Sequence, residues 1–96
     1  MAQKLNEYKR IYVNVDVRFD PTGMMMPRRL TWTDGRSYEI DKVLEVRPAY
    51  AQKAGGQGDR YKVSMLGQER QLFFEHNTKV GTPQIGRWFV EGKETR

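Results

Sequence analysis

Ile11-Tyr12-Val13-Asn14-Val15-Asp16-Val17-Arg18-Phe19 sets the fold class, because every second residue of this run is apolar and most are β-branched. Successive side chains of a strand point to opposite faces, so the run reads as a half-buried β-strand with its odd-numbered residues inward. Tyr12 falls on the outward set. The strand begins near Lys9 and stops at Asp20-Pro21-Thr22-Gly23, where proline removes a ladder donor and glycine permits positive φ.

The same period recurs on either side of further turn signals. Residues 28–33 place Leu30 and Trp32 on one face, and Asp34-Gly35 is a tight-turn dipeptide. Residues 36–46 carry Tyr38 and Ile40 in alternation. The phase then slips at Asp41-Lys42, ahead of Val43, Leu44 and Val46, which predicts a bulge or bend of the kind that curls small sheets. After Pro48, residues 49–59 hold Gly55-Gly56-Gln57-Gly58, and we expect them to be the most mobile internal segment. A hairpin follows over residues 60–66 and 69–75, with Tyr61, Val63, Met65, Leu72 and Phe74 in alternation. A polar excursion from His76 to Gly86 then leads into a last strand at 87–91.

This pattern predicts an all-β protein: one small antiparallel, strongly curled sheet or partly open barrel of five to six strands, SH3-like or OB-like. Its expected core is Val13, Val15, Val17, Leu30, Trp32, Ile40, Val63, Phe74 and Trp88. At 96 residues there is material for one domain, over residues 9–91, with a flexible N-terminal segment at 1–8 and a tail at 92–96.

Composition narrows the function. The chain has 17 Lys and Arg against 12 Asp and Glu, a net charge of +5 that favours polyanionic partners. With no cysteine and a single histidine, His76, there is no thiolate metal site and no catalytic triad to assemble, so no metal, no cofactor and no enzymatic activity are expected. Neither a membrane-spanning apolar run nor an N-terminal apolar leader is present in the sequence, which predicts a cytoplasmic protein without membrane association.

The candidate nucleic-acid contacts are Tyr12, Arg29, Lys53, Arg60, Lys62 and Arg87. Tyr12 offers an outward ring for base stacking, and the cations form a stripe along a phosphate backbone if their strands lie together. Lys53 introduces a glycine-bearing loop that lacks the Walker spacing, so a plain flexible connection is the better reading of it. Met24-Met25-Met26 is a soft apolar run, a candidate peg for a protein partner if it is not buried under the first hairpin.

Leu30-Thr31-Trp32 with Gly35-Arg36 and Tyr38, then Val43-Leu44, Arg60-Tyr61-Lys62-Val63, Leu72-Phe73-Phe74 and Gly86-Arg87-Trp88-Phe89-Val90 form a series. Over residues 11–91 it resembles a family of small uncharacterised bacterial β-domains. These are similar to the C-terminal module of Y-family DNA polymerase relatives from mutagenesis cassettes. The resemblance implies an accessory role in DNA repair or damage tolerance and supplies no catalytic residue. The expected function is therefore a non-enzymatic module that binds DNA or a nucleoprotein complex through a basic and aromatic face. The alternative is a protein-interaction domain that docks an extended peptide, or a DNA-repair protein such as a polymerase, on a sheet edge.

Overall fold

A computed structural model describes residues 8–50 and 57–93. Seven strands form one antiparallel sheet: β1 (Tyr8–Phe19), β2 (Met25–Thr31), β3 (Ser37–Glu39), β4 (Lys42–Tyr50), β5 (Gln57–Met65), β6 (Gln68–His76) and β7 (Gly86–Lys93). There is no helix among the described residues. Sheet order is β3-β2-β1-β7-β6-β5-β4, so two meanders are joined in the middle by the pairing of the first strand with the last. The sheet curls into a half-barrel.

The alternation of β1 holds for its three valines, while Phe19 at its end is 56% exposed. Val13, Val15 and Val17 pack against a core of Leu30, Ile40, Tyr61, Val63, Leu72, Phe74 and Trp88. Trp88 is 7% exposed and meets Phe74 and Tyr61 with ring centroids at 5.0 Å in both pairs. Trp32 departs from the expectation. It packs against the core but stays half-buried, because β2 ends at Thr31 and the indole lies at the mouth of the half-barrel.

The phase slip at Asp41-Lys42 marks a change of partner rather than a bend in one strand. β3 pairs with β2 at one edge of the sheet, and β4 pairs with β5 at the other. Ile40 donates its amide to Arg28 at 2.9 Å, while the Asp41 amide donates to Ser64 at 2.8 Å. The two edges are thus drawn together at one corner, which is what closes the curl there. A register shift between Val43 and Glu45 adds local twist to β4. The one run expected over 36–46 becomes two strands, giving seven in all.

Strands also reach further than expected at several places, Tyr8 of β1 and His76 of β6 among them. Met25 and Met26 open β2, so the methionine run divides: Met25 packs on the core, Met26 is half-buried opposite Arg18, and Met24 is exposed. Gly92 and Lys93, expected as tail, pair with Lys9 and Tyr8. The segment expected to be most mobile is paired at both flanks, through Pro48 with Asp59, Ala49 with Gly58 and Tyr50 with Gln57. Its centre, with Lys53, lies outside the described residues.

Gly58 is part of this pairing, not of a phosphate-wrapping loop. A Cβ at that position would overlap the carbonyl oxygen of Phe74 on the neighbouring strand, so only glycine permits the approach. The β5–β6 hairpin turns on Leu66 (φ 52°) and Gly67 (φ 72°), two left-handed residues in a row. That geometry matches the right-handed twist of the flanking strands, but it is rare for a leucine.

Candidate functional site

Three surfaces compete for the role of site, and the ionic geometry separates them. The first is the outer face that carries most of the residues named from sequence. Consecutive aromatics in β6 and β7 force one ring of each pair outward, so Phe73 and Phe89 lie on the convex side while Phe74 and Trp88 face the core. Phe73 and Phe89 stack at 5.2 Å, and Tyr12 meets Phe89 edge-on at 5.7 Å. Phe89 is only 1% exposed although it sits on the convex face. Arg10 and Arg87 cover this small second core, with guanidinium carbons 5.2 Å over Phe89 and 3.9 Å over Tyr12 respectively.

Glu75 ties the cluster together. It accepts from Arg10 at 2.9 Å, from the Tyr12 hydroxyl at 2.9 Å and from Arg87 at 3.3 Å. Tyr12 is thus outward as expected, yet one ring face lies under Arg87, which removes the open surface a stacking base needs.

Arg29, Arg60 and Lys62 are likewise held by carboxylates. Glu45 lies 3.3 Å from Lys62 and 3.9 Å from Arg60, and it accepts a hydrogen bond from Arg47. Those neighbours, Arg47 foremost and then Lys62, hold the Glu45 carboxyl below its ordinary range. Lys62 also reaches Glu69 at 3.6 Å. Arg29 pairs with Glu39 at 2.8 Å and lies 3.8 Å from Asp16. It stands on β2, four strands along the sheet from β5, so Arg29 does not join Arg60 and Lys62 in one stripe. Both strands present these side chains outward on opposite flanks of the curl, with Glu39 paired to Arg29 and Glu45 shared by Arg47, Arg60 and Lys62.

The second surface is a corner where unpaired cations converge. Arg18, Arg28 and Lys42 line a depression of about 420 Å³ together with Met26, Asp20 and Asp41. None of the three cations has an ion-pair partner among the described residues. Arg28 is the extra residue where the β1–β2 register shifts, since Asp16 faces Arg29 and Val17 faces Pro27. Asp20 is occupied with its own turn, accepting from Thr22 through both amide and hydroxyl and from the Met24 amide, contacts that lower its carboxyl pKa. No sequence pattern marked this cluster, because it depends on a bulge and on the crossover at Ile40.

The third surface is the open mouth of the half-barrel. The edges meet at Asp41 and Ser64 and diverge from there, leaving an apolar slot of about 640 Å³ between the β2–β3 hairpin and the tip of β5–β6. Leu30, Val63, Leu72 and Val90 form its floor, and Trp32, Tyr38, Met65 and Leu66 form its walls. Leu66 is 71% exposed at its left-handed position. Arg70 opposes Val63 across β5–β6, which puts it on the inner face at the rim, exposed and without an ion-pair partner among the described residues.

His76 contacts Asp59 at 3.0 Å, edge-on to Phe74, and no group of three metal-ligating side chains exists among the described residues. Comparison with protein families, with curated proteins and with solved structures finds no match for this chain.

Proposed function

We propose that this chain is a non-enzymatic protein-interaction module whose ligand is an extended polypeptide segment held in the open slot. The observation that carries this reading is that half-buried Trp32 and Tyr38 face half-buried Met65 and exposed Leu66 across an apolar cleft that the sheet does not close. Aromatic and methionine side chains around a partly formed cleft are the usual anchors of a binding surface, because each buries a large area when a partner arrives. The outer aromatic cluster lacks that character, since its rings are already covered by Arg10 and Arg87.

Calorimetric titration with short synthetic peptides that alternate valine with polar residues tests the reading. Saturable binding to the folded domain, lost in Tyr38→Ser and Trp32→Ala variants that keep their β-sheet circular dichroism, supports it. Absence of binding by every such peptide removes it.

A second reading keeps nucleic acid as the partner and moves the contact from the outer face to the corner of Arg18, Arg28 and Lys42. The specific support is that these three cations converge unpaired, whereas Arg29, Arg60, Lys62 and Arg87 each have a carboxylate within 4 Å. Phosphate contacts made there weaken steeply with salt and position the strand without reading its bases. On this reading Arg28→Glu with Lys42→Glu abolishes DNA binding at low salt, and Arg60→Gln with Lys62→Gln leaves most of it. The role in DNA repair implied by the family resemblance belongs to this reading.

A further inference from the structure

We infer that the segment held in the slot is a β-strand that pairs with the free edge of β3, completes the barrel, and brings a carboxylate to Arg70. This rests on the reading of the slot as the ligand site and adds the conformation and chemistry of the occupant. The first support is the hydrogen-bond phase of β3. Trp32 donates to the Arg36 carbonyl and Ile40 donates to the Arg28 carbonyl, while Leu30 stands opposite Tyr38. In an antiparallel ladder, bonded and non-bonded pairs alternate, so Ser37 and Glu39 are the non-bonded positions towards β2. Their amides and carbonyls therefore point away from β2, off the edge of the sheet. Asp41 continues the same phase, and its amide finds the carbonyl of Ser64 on β5. Ser37 and Glu39 thus present the next groups of a ladder that is closed at Asp41 and left open beyond it.

That free edge borders the apolar cleft at Tyr38, and unpaired strand groups template pairing with another chain. Strand addition joins backbone hydrogen bonds, which give affinity, to alternate side-chain pockets, which give specificity. An occupant paired with Ser37 and Glu39 sends the residue between those pairs inward beside Tyr38, among Trp32, Leu30 and Val90. Apolar residues are required at that period. Arg70 supplies the remaining selectivity. It is a cation without an ion-pair partner among the described residues, on the inner face of a largely apolar cleft, and a carboxylate on the occupant matches it in charge and in bidentate geometry. A lysine at the same place is rejected.

The test is amide hydrogen exchange followed by NMR on the full chain, with two synthetic peptides. Both alternate valine with threonine and carry one inward glutamate; the second is N-methylated on the residues meant to pair with β3. Saturation with the first peptide is expected to slow exchange at Ser37 and Glu39 by at least about tenfold, equivalent to roughly 1.4 kcal/mol of added protection. The N-methylated peptide loses binding. Arg70→Glu reverses the preference, so that a peptide with lysine in place of the glutamate binds better than the original. If the first peptide binds and shifts the Trp32 indole while Ser37 and Glu39 exchange at their free rates, strand pairing is wrong and the slot reading survives. If N-methylation leaves affinity unchanged, strand pairing is likewise overturned. If neither peptide binds, the slot reading itself fails.

Discussion

Ile40 and Asp41 are neighbours in sequence and hydrogen-bond to opposite sides of the sheet, one to Arg28 on β2 and the other to Ser64 on β5. This single step of the chain holds the half-barrel together at one corner and leaves it open beyond. The Ile40 side chain is buried in the core at the same point. Ile40→Ala therefore removes core volume where the edges converge, and a loss of about 2–5 kcal/mol is expected by urea denaturation. A loss below about 1 kcal/mol would show that the corner does not depend on that side chain.

The two tryptophans separate by burial. Trp88→Ala empties the centre of the core and is expected to cost roughly 3–5 kcal/mol, enough to unfold a domain of this size. Trp32→Ala, at the mouth of the slot, is expected to cost about 1–3 kcal/mol and to leave a folded protein. Thermal melts of the two variants check this, and equal losses would mean that Trp32 is a core residue after all.

Gly58→Ala forces a methyl group against the Phe74 carbonyl, a backbone atom that cannot swing aside. Overpacking of this kind is expected to cost about 1–3 kcal/mol. A variant as stable as the parent would place β5 further from β6 than the pairing of Asp59 with Phe74 indicates.

Tyr61 gives the fold an alkaline limit. Burial, with a smaller contribution from Asp59, pushes its phenol above the ordinary value of 10.0, and its hydroxyl donates to the Met25 carbonyl at 2.9 Å. The folded pKa lies above the unfolded one, so this stabilisation is fully present below pH 10 and is lost as pH rises through the folded value. Comparing the pH dependence of the melting temperature between the parent and Tyr61→Phe isolates the effect. The variant is expected to lack the part of the alkaline decline that the phenol causes, and identical slopes would contradict the assignment.

Much of this architecture is legible in local sequence, and the remainder fails for one physical reason. The valines of β1, the turn at Asp34-Gly35 and the alternation of Tyr61 and Val63 depend only on neighbours along the chain, and each forms as expected. The phase slip at Asp41-Lys42 was visible, but its meaning was not, because the pairing partner of a strand is set by contacts distant in sequence. The same limit hid the site. Arg60 and Lys62 look like a free basic stripe until β4 brings Glu45 beside them, and Tyr12 looks open until β7 lays Arg87 across its ring. One usable signal was present: Phe73-Phe74 and Trp88-Phe89 are adjacent aromatics, and period two requires one ring of each pair to leave the core.

On the proposed function, the slot and not the outer aromatic face receives the ligand. The most direct test is to follow the two indole Nε1–H resonances by NMR while adding the alternating valine–threonine peptide that carries a glutamate. A saturable shift of Trp32 is expected, with accompanying shifts at Tyr38 and Met65 and an unmoved Trp88. Shifts centred on Tyr12, Arg87 and Glu75, with Trp32 unchanged, would contradict it.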